Sequence, residues 1–140
     1  MLRSMIARAG STALLASLLV VASPPASQAA PDYQPWGKAT SKNHVLKGGC
    51  HRYTYRYEIT APTDEWMAEI RFISPNGSGL ASSVIDSLSQ RAQGKRQITV
   101  CRPSTSYGKH TIKMKVTYSE GTDYTSGQVK PTAFRFLVRR

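Results

Sequence analysis

Cys50-His-Arg-Tyr-Thr-Tyr-Arg-Tyr-Glu-Ile-Thr60 is the stretch that decides the fold class. Its odd positions, Tyr53, Tyr55, Tyr57 and Ile59, form one apolar face, and Arg52, Thr54, Arg56 and Glu58 form the other. Successive side chains of a strand point to opposite sides of a sheet, so this period of two predicts a half-buried β-strand. Aromatic and β-branched residues strengthen the reading, because they fit a pleated surface with one covered face. Tyrosines at this parity belong to a core, with hydroxyls reaching the sheet edge. The same stripe would also serve as a stacking platform for sugars or a protein partner, and the sequence leaves both open.

The same alternation extends outward. Trp66, Ala68, Ile70 and Phe72 oppose Glu69 and Arg71. His110, Ile112, Met114, Val116 and Tyr118 oppose Thr111, Lys113, Lys115 and Thr117. Shorter strands are expected at His44–Lys47 and Gln97–Cys101, and a last one through Phe134, Phe136 and Val138. Ala61-Pro-Thr-Asp64 and Ser74-Pro-Asn-Gly-Ser-Gly79 have turn chemistry, since Pro presets φ while Asn and Gly tolerate positive φ. Ser119–Pro131 reads as a polar loop. Leu80, Val84, Leu88 and Ala92 recur every four residues, as in a helix stopped by Gly94. The interspersed serines favour instead a strand over Ser82–Asp86 followed by a loop. These elements predict an all-β chain, an immunoglobulin-like two-sheet antiparallel sandwich of about seven strands over residues 42–140.

Residues 1–29 have the layout of a cleaved signal peptide. Arg3 and Arg8 precede the apolar run Ala13–Ala22, and Ser27 and Ala29 are the small residues before the expected cut. The run is about ten residues, half of what a bilayer-spanning helix needs, so the mature form is expected to be secreted without a transmembrane anchor. Residues 30–41, with Pro31 and Pro35, read as an extended leader. Two cysteines in an exported chain predict one disulfide, Cys50 to Cys101. Both fall on the parity opposite their strands' apolar faces, which favours a bridge between neighbouring strand ends over one buried between two sheets.

At this level the chain resembles small exported actinobacterial proteins with a single disulfide and an immunoglobulin-like β-sandwich, mostly of uncharacterised function. The pieces that carry the resemblance are Gly49-Cys50, Tyr55-Arg-Tyr57, Trp66, the Pro75-Asn-Gly77 turn, Val100-Cys101 and Tyr107-Gly108. The resemblance implies a fold and no activity. The chain departs from antibody-type domains in having Thr99, not Tyr, two residues before Cys101, and room for two strands after it.

A formal charge of +11, of which Arg3 and Arg8 contribute two units, points to anionic partners or simply to solubility. No GxSxG, HExxH or Gly-rich phosphate loop occurs, so no enzyme, cofactor or metal is expected. Asp64 and Glu65 sit in a turn where carboxylates more often cap or stay solvated. His44, His51 and His110 read as core or edge histidines rather than metal ligands. No nucleic-acid motif is present. The candidate ligand-binding residues are Lys109, Lys113, Lys115, Arg135 and Arg139 on one outer face, with Trp36 as an aromatic contact. The expected function is a secreted, non-enzymatic binding module for anionic cell-envelope polymer or an acidic secreted protein. The alternative is an inhibitor of an extracellular hydrolase, presenting the Ser74–Gly79 turn or the Ser104–Lys109 segment. The oligomeric state is left open.

Overall fold

A strand that is apolar on every second residue is stable only when that face is covered. Here the cover comes from a second sheet. The computed structural model describes residues 29–139, and the chain from Pro31 onward is one unit. The signal peptide expected over residues 1–29 lies outside the described residues except for Ala29. In chain order the strands are β1 (Gly37–Thr40), β2 (His44–Val45), β3 (Cys50–Ile59), β4 (Trp66–Ile73), β5 (Gly79–Asp86), β6 (Gln93–Cys101), β7 (Gly108–Glu120) and β8 (Asp123–Leu137). A single 3-10 turn, Arg102–Ser104, interrupts them.

The strands form a three-stranded sheet ordered β1-β3-β6 and a five-stranded sheet ordered β2-β8-β7-β4-β5. All pairings are antiparallel except β2 with β8. Tyr53, Tyr55, Tyr57 and Ile59 from the small sheet are buried with Ala68, Ile70, Phe72, Ile112, Val116, Phe134 and Phe136 from the large one. Ring contacts cross the gap, Tyr55 to Phe72 at 5.1 Å and Tyr53 to Phe136 at 4.8 Å. The tyrosine stripe is therefore core.

The disulfide joins Cys50 to Cys101. The two residues face each other in the β3–β6 register, on the outer side of the small sheet, as their parity predicted. No helix among the described residues is long and apolar enough to cross a membrane.

The strand favoured over Ser82–Asp86 is present as part of β5, and residues 80–93 contain no helix; the Asp86 carboxylate accepts from the Leu88 and Ser89 amides at 3.0 and 2.9 Å in the turn that follows. Three expectations need correction. Ser119–Pro131 is not a loop, because β8 begins at Asp123 and pairs with β7 from Asp123 to Phe136, apart from one bulge. A bulge between Ile112 and Met114 puts Lys130 and Pro131 opposite a single β7 residue, a place where proline's missing N–H is tolerated. Within the expected leader, Gly37–Thr40 forms β1 against β3. Val138 continues the apolar parity of Phe134 and Phe136 but is exposed, since β8 ends at Leu137.

Candidate functional site

Strand parity places Lys109, Lys113 and Lys115 of β7 on the outer face of the five-stranded sheet, where all three are exposed. Lys109 lies opposite Arg135 of β8, and Lys113 opposite Arg71 of β4. Lys115 faces Glu69, the one carboxylate within this group, and Glu69 also accepts from Arg71 Nε at 3.4 Å. Like charges set directly across a ladder destabilise one another modestly, so their accumulation here has no folding rationale. Beside Arg71, Lys113 and Lys115 runs an open groove of about 490 Å3, lined also by Tyr33, Glu69 and Gln128, with Pro31 and Pro131 at its margin. The predicted face is thus assembled, with two residues added that charge patterning on β7 and β8 alone did not supply, Arg71 and Tyr33.

Arg139 and Trp36 lie elsewhere. Arg139 follows the end of β8. Trp36 precedes β1 and packs edge-on against Tyr118, with ring centroids 4.9 Å apart. A Cβ on Gly127 would meet the Trp36 ring at 2.6 Å, so the bare backbone of β8 at Gly127 is what lets the indole lie against it. The two turn segments considered as inhibitor loops both sit at the disulfide end of the strands. Arg102, just ahead of the second of them, covers its Tyr107 ring, 4.3 Å from the centroid.

A second basic face was not anticipated. On the outer side of the small sheet Arg56 pairs across from Lys95, and Arg52 projects on the same side. With Lys42 they line an open groove of about 780 Å3 floored by Thr54. Glu58 is the only acid of β1, β3 and β6, and Lys38 Nζ holds it at 2.9 Å. The alternation that buried Tyr53 to Tyr57 implies this face as well; the signal was the arginines of the very stretch that decided the fold.

The three histidines do not converge. His51 Nε2 contacts the Gly48 carbonyl at 2.6 Å, while His44 and His110 both border the Phe134 and Phe136 rings. Among the described residues no cluster of three or more His, Cys, Asp or Glu side chains could hold a metal ion. Burial lowers the His110 pKa, offset in part by the Gly108 carbonyl, and its Nε2 has no hydrogen-bond partner among the described residues. Burial also lowers His44, opposed by Thr54 and assisted by Lys42. The unfolded chain therefore binds these protons more readily than the folded one. Stability from this source is complete above the ordinary histidine pKa of about 6.5 and declines as pH falls through it toward the lower folded values. Urea unfolding at pH 7.5 and pH 5 should show that decline, and His110→Leu should reduce it. An equal decline in the variant would remove His110 as the cause.

Compared with family models, curated proteins and solved structures, the chain matches none of them.

Proposed function

We propose that this chain is a secreted, non-enzymatic binding module of immunoglobulin-like sandwich type that engages an anionic cell-envelope polymer. The sheet order supports the architecture. A three-stranded β1-β3-β6 sheet against β2-β8-β7-β4-β5, with β2 parallel to β8, is the order expected when the first strand of such a sandwich switches sheets. The disulfide fits an exported protein, and the resemblance to small actinobacterial single-disulfide domains belongs to the same proposal.

The observation that carries the function is the outer face of the five-stranded sheet. Arg71, Lys109, Lys113, Lys115 and Arg135 lie along it with only Glu69 in opposition, and Arg71, Lys113 and Lys115 line an open groove that Tyr33 borders. An extended groove of spaced cations fits a repeating polyanion better than a compact small ligand, and Tyr33 offers a ring for stacking.

Binding to isolated anionic wall polymer should be retained at low salt and released as the Debye length shrinks to roughly 3 Å at 1 M. The double variant Lys113→Glu, Lys115→Glu should weaken it at least about tenfold, or ~1.4 kcal/mol. Salt-insensitive binding, or full affinity in the variant, would overturn the assignment. Capture of an acidic secreted protein with no retention on the polymer would replace the polymer as ligand.

A further inference from the structure

The basic residues are scattered along the sequence, but the acids are sorted by the fold. Every strand has one end near Trp66 or one near the disulfide. At the Trp66 end the register places Trp66 beside Tyr118, Met67 beside Asp86, Glu58 beside Gln93 and Gly37 beside Ile59. Glu58, Asp64, Glu65, Asp86, Glu120 and Asp123 all lie in the strand ends and turns gathered there, leaving only Asp32 and Glu69 elsewhere. The bases near this end are Arg91, the Lys38 that is already paired to Glu58, and Lys95, two residues into β6, so the six acids remain in excess.

The disulfide end is the reverse. Lys47, Arg52, Arg102, Lys109, Arg135 and Arg139 converge on it, and segments 43–52, 74–80, 101–110 and 133–139 contain no acid. The molecule thus carries opposite charge at the two ends of its strands.

Apolar side chains accompany both poles. At the acidic pole a groove of about 330 Å3 is lined by Trp66, Met67, Leu88, Tyr118 and Tyr124, with Glu65 and Asp86 among its walls. Leu88 is 95% exposed and Tyr124 77%, yet Leu88 is not loosely held: the Asp86 carboxylate accepts from its amide and from Ser89. A leucine so presented has no packing partner among the described residues. At the basic pole Val45 and Leu137 are register partners in the β2–β8 pair, both are exposed, and Val138 beside them is 60% exposed. Lys47 and Arg139 flank that patch in sequence.

From these two poles we infer that the acidic, Leu88-bearing end of one copy docks on the basic Val45–Leu137–Val138 end of another, head to tail. Each pole supplies what the other lacks, exposed apolar side chains inside a rim of opposite charge. Rim charges of opposite sign orient and speed the encounter, and central apolar anchors supply the adhesion. Because the two surfaces differ, the contact is heterologous, so each copy retains a free pole and assembly continues past the dimer. The outer sheet faces stay uncovered in such a chain of copies, and a run of them would present its lysines repeatedly along one polyanion.

Sedimentation velocity of the purified protein over about 1 μM to 1 mM tests this, a range that spans weak self-association. The expected result is a mass that rises with concentration beyond dimer. Leu88→Asp blocks the acidic pole, and the double variant Lys47→Glu, Arg139→Glu blocks the basic one. All three sites are exposed, so the fold is kept, and each variant alone should stay monomeric. Mixed together, the two variants should form a 1:1 complex and stop there, since one copy offers only its intact basic pole and the other only its intact acidic pole. A monomer at every concentration, a closed dimer, or growth that the variants leave unchanged would overturn the inference. Lys113 and Lys115 play no part in it, so failure of polymer binding and failure of self-assembly are separately visible.

Discussion

Replacing Cys50 and Cys101 together by serine is expected to lower the unfolding free energy by about 4 kcal/mol. The bond closes a loop with a sequence separation of 51 that holds β3, β4, β5 and β6, roughly half of the folded unit. Cys50 is exposed and Cys101 half-buried on the outer side of the small sheet, so serine leaves no cavity in the core. Nearly all the loss therefore arises in the unfolded chain, which regains the freedom that the closed loop denied it. Two signatures follow. The urea midpoint should fall, and the m-value should rise, because an uncrosslinked chain exposes more surface on unfolding. Against a typical domain stability of about 5–15 kcal/mol, the change decides whether the domain survives warming. A loss below about 1 kcal/mol would mean that the reduced unfolded chain keeps structure that already holds the two ends of the loop together.

Alternation made most of this fold legible. β3, β4 and β7 each put apolar side chains on one parity over most of their length, and all three lie where the period of two placed them. The first half of β8 was hidden for a physical reason. Tyr124-Thr-Ser-Gly-Gln128 buries no side chain of its own, and the apolar cover at Gly127 is Trp36, brought from a segment some ninety residues earlier. A strand whose packing is supplied by another part of the chain shows no alternation. β1 was hidden by brevity, since only Ala39 of its four residues is buried. The helical spacing of Leu80, Val84 and Leu88 proved accidental: Val84 faces out on an edge strand and Leu88 projects from a turn.

The candidate site was legible to the same degree, and for the same reason. Parity along one strand, with a neighbour assumed, was enough to assemble Lys109, Lys113, Lys115 and Arg135. The polar segregation of charge was not, because it depends on which turns share an end. Turn chemistry contributes to it: Asp86 closes its turn by accepting from Leu88 and Ser89, and Glu65 accepts from the Ser119 hydroxyl. The turns at the disulfide end use Gly, Pro, Ser and Asn instead, and leave that end to its cations.

Phe136→Ala should cost about 3–5 kcal/mol, at the upper part of that range. Phe136 is 1% exposed and stands where the two sheets meet at the disulfide end. Its ring lies 4.8 Å from Tyr53, 5.0 Å from His110 and 5.2 Å from Phe134, with His44 at 6.2 Å. These neighbours come from β3, β7, β8 and β2, each fixed by its own ladder, so the walls cannot close on the void by moving a single element. The cost of a core truncation grows with the cavity that remains, and edge-to-face ring pairs add about 0.5–1.5 kcal/mol beyond the area they bury. Phe136→Leu fills most of the space and should cost far less. Leu88→Ala, at an exposed turn position, should stay within about 0.5 kcal/mol and serves as the control. The void would border His110, whose Nε2 is buried and has no hydrogen-bond partner among the described residues. Water admitted there would solvate the protonated ring, so Phe136→Ala should lose stability at pH 7.5 and show a shallower acid decline than the parent. A loss under about 1.5 kcal/mol with an unchanged acid limb would mean that the ring cluster relaxes freely, and that burial of His110 does not depend on Phe136.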